Sequence, residues 1–476
     1  MTQESVSRSA GRHPNPSAGR WAPVPPGVSL ADLWNRAGVI EILGGRVVDP
    51  DGPFNGRTGL RIAAGRLEDP ASASSGEPHL RLDGADLFLT PGLSDMHVHL
   101  REPGGEDAET IASGLLAAAR GGFTRVGCMP NTNPPIDQRA VVDLVLAQAR
   151  KACGVALYPV AGITRGLVSE DLTEMAELRE AGVLAVSNDG FPVPSSRVMR
   201  RAMEYASTFG LLVISHAEDR DLKGDGVMNE GHWSSVLGLP GIPAASEEIA
   251  VARDISLCRL TGCRLHVAHL STAGSVALVR RAKEEGLPVT AETAPHYFTL
   301  TDASLQSFDS RFKMNPPLRT ERDVEAILQG LADGTIDVIA TDHAPHTAET
   351  KDVELDQAPF GIIGMETSVG LATTHLLRPG RLGPEDLVRL MSSRASKIMG
   401  WGGGALRPGE AADITAIDPR KAWTVDAEQF ASRSRNTPFG GWELQGKAVL
   451  TVAQGRLLHC EDLRAQASPE LLAKVR

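Results

Sequence analysis

The stretch Asp95-Met96-His97-Val98-His99-Leu100-Arg101 decides how the rest of this chain is read. In an extended strand, side chains two residues apart share a face. His97, His99 and Arg101 therefore point one way while Val98 points the other. Two imidazoles side by side can chelate a divalent cation. Taken alone, the tripeptide is equally compatible with a chance pair on a surface strand. The apolar neighbours and the Pro91-Gly92 entry argue for an interior one.

Outward from this strand, short apolar runs recur at 124–129, 156–160, 183–186, 211–214, 265–268, 289–291 and 338–340. Between them lie segments of helical periodicity at 108–120, 141–151, 171–181, 196–208, 246–260 and 275–285. Alternating β and α units imply a parallel sheet. With the strand that ends at His97 and His99, the runs number eight, as a closed barrel requires. Nearly every run ends in chemically capable residues: His97, His99 and Arg101; Asn131; Asn188 and Asp189; His216 and Glu218; His269; Glu292 and His296; Asp342 and His346. A barrel draws its site from the carboxyl ends of many strands, whereas a doubly wound sheet concentrates it at one switch point. The expected fold is α/β, a (β/α)8 TIM-type barrel over residues 91–399.

Both ends of the chain look different. Residues 39–48 and 60–67 read as strand–turn–strand units around Gly44-Gly45 and Gly65, and 412–417 and 448–458 are again short β-rich runs. The expectation is a small β domain built from 38–90 and 400–460. Residues 1–37, with Arg8, Arg12 and Arg20 among Ser, Pro and Gly and no apolar core, are expected to form a disordered extension.

Composition narrows the function classes. A net charge of -11 disfavours nucleic-acid and anionic-membrane partners, and no apolar stretch reaches the ~18 residues a membrane span needs. Cys128, Cys153, Cys258, Cys263 and Cys460 are scattered and odd in number, which reads as free thiols in a reducing cytoplasm rather than a disulfide or zinc framework. His216 and His269 end successive candidate strands and look like a second metal pair. His266 falls out of register, and His13, His79, His375 and His459 lie in tails or turns; all five are taken as structural or solvated. A carboxylate at a strand end is often a helix N-cap. Beside four histidines, Asp189 can instead bridge two cations and Asp342 can ligate one while shuttling a proton. Such a set suits borderline divalent ions, zinc first.

The motifs as a set carry a family resemblance. Asp95-Met96-His97-Val98-His99-Leu100-Arg101-Glu102-Pro103 and Ala340-Thr341-Asp342-His343-Ala344-Pro345-His346 resemble the two signatures of the dihydroorotases, among the cyclic amidohydrolases. Met129-Pro130-Asn131-Thr132-Asn133-Pro134, Ser187-Asn188-Asp189-Gly190, Val227-Met228-Asn229-Glu230 and Lys313-Met314-Asn315-Pro316-Pro317-Leu318-Arg319 are similar to family motifs in the family's order. The likeness runs from about Gly38 to about Gly455. It implies a barrel with a small β-sandwich formed from both termini, and two zinc ions per subunit. By it, His97 and His99 hold the first metal, His216 and His269 the second, and Asp189 bridges them. Asp342 ligates the first metal and is the general acid/base. Arg101, Asn131 and His346 hold the substrate carboxylate, while Asn315 and the Phe360-Gly361 backbone contact the dihydropyrimidine ring.

The implied reaction is reversible hydrolysis of dihydroorotate to N-carbamoyl-L-aspartate in pyrimidine synthesis, with a metal-bridging hydroxide as nucleophile. A homodimer is implied, in some members associated with aspartate transcarbamoylase. Residues 347–359, acidic and without clear periodicity, are read either as a lid or as an ordinary solvated loop. Hydantoinases, allantoinases and the other type of dihydroorotase bridge their metals with a carbamylated lysine at the end of the fourth strand. No lysine occurs here between Lys151 and Lys223, and Asp189 stands where one would be needed. The aspartate-bridged type commonly has two adjacent aspartates; here the first is Asn188. A hydantoinase- or allantoinase-like enzyme is the nearest rival reading. A non-catalytic scaffold for a transcarbamoylase should have lost ligands, and all six candidates are present.

Overall fold

Eight parallel strands pair in the order in which they occur along the chain. The computed structural model describes residues 21–69 and 79–475. In it Leu93–Val98 pairs with Phe123–Cys128, and that strand with Ala156–Pro159. The third strand breaks at Val160 and resumes as Ala161–Gly162, which pairs with Ala185–Ser187. The order continues through Leu212–Ser215, Leu265–Val267 and Val289–Thr293 to Val338–Ile339. A parallel bridge from His343 to Val98 returns the last strand's end to the first, and the His99 amide donates to the His343 carbonyl at 2.8 Å. Asp95 seals the same seam by accepting from the Thr341 amide at 3.1 Å and its hydroxyl at 2.5 Å. The sheet therefore curls round on itself.

The helices on its outer side follow the expected apolar spacing. Ser196–Thr208 begins and ends where the periodicity predicts. In Ile111–Gly121, Ile111 and Leu115 pack with Val98 and Leu100 in the main core. Val98 thus goes to the helix layer and leaves His97 and His99 to the other face. The helix Glu321–Asp333 is an addition to the expected set, although Ile327, Leu328 and Leu331 on its buried face repeat at helical spacing.

Both chain ends enter one ten-stranded sheet. Val39–Val47 pairs with Leu80–Asp83 and Phe88–Pro91, the latter with Ile414–Thr424, and that strand with Glu443–Ala453. The sheet has its own core, in which Ile42, Leu80 and Leu89 meet Ile414, Leu450 and Val452. It is longer than expected at both ends. Ala22–Pro23 pairs with Ala465–Ala467, beyond residue 460. Residues 30–36, expected to be disordered, form the helix Leu30–Arg36. Its Leu33 and Trp34 are buried, and the Trp34 indole donates to the Gly455 carbonyl at 2.9 Å. Apolar burial of this kind offsets the entropy of ordering the segment. The expectations for residues 1–20, His13 included, lie outside the described residues.

A second difference concerns 425–442, inside the range assigned to the small β domain. Phe439 and Trp442 pack with Met314 and Ile362, and Asn436 hydrogen-bonds to Ala344 and His346, beyond the end of the last parallel strand. Among the described residues no helix is long and apolar enough to cross a membrane, and all five cysteines are free.

Candidate metal centre and substrate cavity

The strand ends bring together side chains that are far apart in sequence. One potential ligand atom each from His97, His99 and Asp189 fall within 4.8 Å of one another, and so do those of Asp189, His216 and His269. Asp189 belongs to both groups. Its Oδ1 is 3.3 Å from His97 Nε2, 3.3 Å from His216 Nδ1 and 3.5 Å from His269 Nε2. Its Oδ2 is 3.5 Å from His99 Nε2. Asp342 Oδ1 lies 3.2 Å from His99 Nε2 and 3.5 Å from His97 Nε2. The six residues singled out in the sequence thus converge, all of them buried.

Three of the loops that carry this chemistry hold non-glycine residues in left-handed backbone conformations: Arg101 (φ 58°), His269 (φ 34°) and Asp342 (φ 49°). Each costs of the order of 1 kcal/mol or more and persists where the surrounding structure enforces it. Gly361 (φ 114°) is needed for a steric reason as well, since a Cβ there would sit 2.6 Å from Ala344 Cβ.

A cavity of about 330 Å³ opens beside the cluster. Arg101, Asn131, Asn315, His346, Phe360 and Gly361 all line it. Asn131 Oδ1 accepts from His99 Nδ1 at 2.8 Å, which leaves the Asn131 amide nitrogen unpartnered among the described residues. Arg101 donates through Nε to the Pro345 carbonyl at 3.0 Å and has no carboxylate within ion-pair distance among the described residues. His346 donates its Nε2 proton to the Phe360 carbonyl at 2.8 Å. Burial, reinforced by the Arg101 charge, lowers the His346 pKa to about 3, so its ring is neutral. Residues 347–359 contain the short helix Ala348–Lys351. The buried Lys351 amine donates to the carbonyls of Pro359 at 2.7 Å and Lys313 at 3.0 Å.

Comparison with known proteins gives this arrangement its place. Residues 87–275 match the family model described as dihydro-orotase-like. The chain is 54% identical over 374 residues to the dihydroorotase of Pelotomaculum thermopropionicum, covering 78% of this chain and 86% of that one. It is 50% identical over 419 residues to the dihydroorotase of Citrifermentans bemidjiense, covering 88% and 99%. The chain belongs to the dihydroorotase family. Among solved structures, the L-hydantoinase (dihydropyrimidinase) of Arthrobacter aurescens aligns with a TM-score of 0.76 at 26% identity, over 88% of this chain and 96% of that one.

The donor set in this dihydroorotase-family chain fits divalent cations. Four imidazoles and two carboxylates aim at a small volume, and His97 Nε2 is buried there without a hydrogen-bond partner. His216 Nδ1 and His269 Nε2 face each other at 2.9 Å, as lone pairs directed at a common cation would. The cluster is also strongly acidic. Burial opposes a charge on His97, but Asp189, Glu292 and Asp342 outweigh it and hold its pKa well above the ordinary value. Burial likewise opposes ionisation of Asp342, and the surrounding histidines hold it far below the carboxylate range.

Several supporting residues carry no role in the sequence reading. Glu292 Oε1 accepts from His97 Nδ1 at 2.6 Å. Glu218 Oε2 accepts from Asn315 Nδ2 at 2.7 Å and pairs with Lys223 at 2.9 Å. The Lys223 ammonium in turn lies over the Phe360 ring, 4.9 Å from its centroid. Asn436 donates to the Ala344 and Gly361 carbonyls and accepts from the His346 amide, so it ties the two rim segments together. Glu292 and Glu218 stand at strand ends, a position that does mark them. Asn436 carries no comparable local signal. His266, taken as structural or solvated, is wholly buried behind the cluster.

Proposed function

We propose that this chain is a dihydroorotase of the aspartate-bridged type, catalysing reversible hydrolysis of (S)-dihydroorotate to N-carbamoyl-L-aspartate. The fold in this reading is a (β/α)8 barrel over 91–399 with a small β-sandwich from 38–90 and 400–460. One observation carries it: the half-buried guanidinium of Arg101, without a carboxylate partner among the described residues, shares a cavity with the Asp189-centred cluster. A guanidinium without a carboxylate partner calls for an anion, and the substrate presents a carboxylate beside its cyclic amide. Hydantoin and dihydrouracil lack that carboxylate, which disfavours the hydantoinase-like alternative.

His97, His99 and Asp342 would hold one cation, His216 and His269 the other, and Asp189 both; zinc is the proposed metal, two per subunit. When bound, such ions lend Lewis acidity to the ring carbonyl and acidify the attacking water. The chain's own residues do the rest. Arg101 and the free Asn131 amide bind the carboxylate, with His346 buttressing the Phe360 backbone. Asn315 and the Phe360-Gly361 backbone orient the ring. Asp342 accepts a proton from the attacking water as the new C–O bond forms. It then delivers that proton to the ring nitrogen as the C–N bond breaks. Residues 347–359, anchored through Lys351, would cover the substrate. The same reading takes the protein as a cytoplasmic homodimer able to associate with aspartate transcarbamoylase, with family resemblance as its support.

Metal-loaded protein should interconvert dihydroorotate and carbamoyl aspartate and leave hydantoin and dihydrouracil largely untouched; the opposite preference would sink the assignment. Asp342→Asn should lower kcat by roughly 10²–10⁴-fold with the histidines still in place. Turnover by that variant near the wild-type rate would remove Asp342 from the acid/base role.

A further inference from the structure

Behind His97 lies a chain of polar groups, Glu292, His266 and Thr290, to which the proposed reaction gives no role. His97 Nδ1 and Glu292 Oε1 are 2.6 Å apart, the other Glu292 oxygen is 3.3 Å from His266 Nε2, and His266 Nδ1 is 2.8 Å from Thr290 Oγ1. His97, His266 and Glu292 are each at most 1% exposed. The placement follows from strand register. Leu265–Val267 and Val289–Thr293 pair in parallel with His266 opposite Thr290. Glu292, two residues further on, projects to the same face as Thr290.

A buried carboxylate is costly unless it is paired, so its presence calls for a role. The Glu292 carboxylate accepts a hydrogen bond from the protonated Nδ1 of His97. The lone pair of that ring is then confined to Nε2, which is buried with no hydrogen-bond partner and faces Asp189 and Asp342 at 3.3 and 3.5 Å. No other cluster histidine has a carboxylate this close behind it. His99 uses the Asn131 amide oxygen, and His269 Nδ1 has no hydrogen-bond partner among the described residues.

We propose that Glu292, with His266 at ion-pair distance behind it, is a positioning residue that fixes the tautomer and ring orientation of His97 for cation binding. The inference rests on the metal centre proposed above but not on its substrate. A carboxylate on the outer nitrogen of a ligating imidazole makes it more basic and restricts its rotation; loss of such a partner typically weakens metal binding 10–100-fold.

The test uses the full-length metal-free protein, titrated with zinc against a chromophoric chelator and with cobalt(II), whose visible spectrum reports ligand geometry. Glu292→Gln, nearly isosteric, should weaken zinc binding by about 10–100-fold and alter the cobalt spectrum, with the metal-free melting curve unchanged. His266→Gln, which replaces the ring 3.3 Å behind Glu292, should give a smaller loss, below about tenfold. Wild-type zinc affinity in both variants would overturn the proposal. So would loss of the cooperative melt in metal-free Glu292→Gln, because the carboxylate would then hold the fold rather than the ligand. A wild-type protein that binds zinc tightly yet leaves dihydroorotate unchanged would sink the proposed function and leave this inference standing.

Discussion

The two ligand groups share Asp189 but are held from opposite sides. His97 is clamped from the interior by Glu292 and has no exposed surface. His216 is held from the cavity side: its Nε2 lies 3.2 Å from Asn315 Nδ2 and 3.8 Å from Glu218 Oε2, and Asn315 lines the cavity. The interior half is backed by a buried carboxylate out of reach of the cavity. In the cavity half, Asn315 both contacts His216 and is proposed to orient the substrate ring. The difference teaches that one buried cluster can be backed on one side by the closed interior and on the other by the wall of a cavity.

The largest effect should come from removing what the halves have in common. Asp189→Ala should empty both groups and lower turnover by roughly four orders of magnitude, with metal content read by mass spectrometry. If one group kept its metal at wild-type affinity, the carboxylate would not be shared.

Glu218→Gln sharpens the contrast. Loss of the charge-assisted bond to Asn315 should raise KM about tenfold, equivalent to ~1.4 kcal/mol, with metal content intact. A loss of metal as large as that expected for Glu292→Gln would erase the distinction between the halves.

The smallest effect lies outside both groups, at Lys351. Burial lowers its pKa from 10.5 to about 7. Between about pH 7 and the unfolded value, the unfolded chain therefore binds more protons than the folded one, and stability rises with pH. The slope from this group is at most about 1.4 kcal/mol per pH unit. Lys351→Met should flatten that rise without changing metal content, as urea melts at pH 7.5 and 9.5 would show. An unchanged slope would remove Lys351 from the account.

Much of the curled sheet and of the buried His/Asp cluster is legible in the residues alone. All eight strands stand where apolar runs predict them, because a strand between two buried layers must be apolar along its length. The ligand types are legible too, since a barrel presents its chemistry at strand ends. Other features are not. Leu30–Arg36 sits in a Pro- and Gly-rich context, and Leu33 and Trp34 gain burial only against the distant end of the chain. Asn436 lies in a stretch that reads as part of the terminal β domain, yet it packs on the barrel rim.

By itself the sequence determined the repeat of strand and helix, the identity of the six converging side chains and the absence of a lysine at the end of the fourth strand, since these are matters of residue type and spacing. The tertiary structure alone decided which nitrogen of each imidazole faces inward and which group holds it from behind. His97 and Glu292 are 195 positions apart, and Glu218 and Asn315 are 97. Hydrogen bonds depend on distance and direction to within a few tenths of an ångström, and only the curling of the sheet sets those.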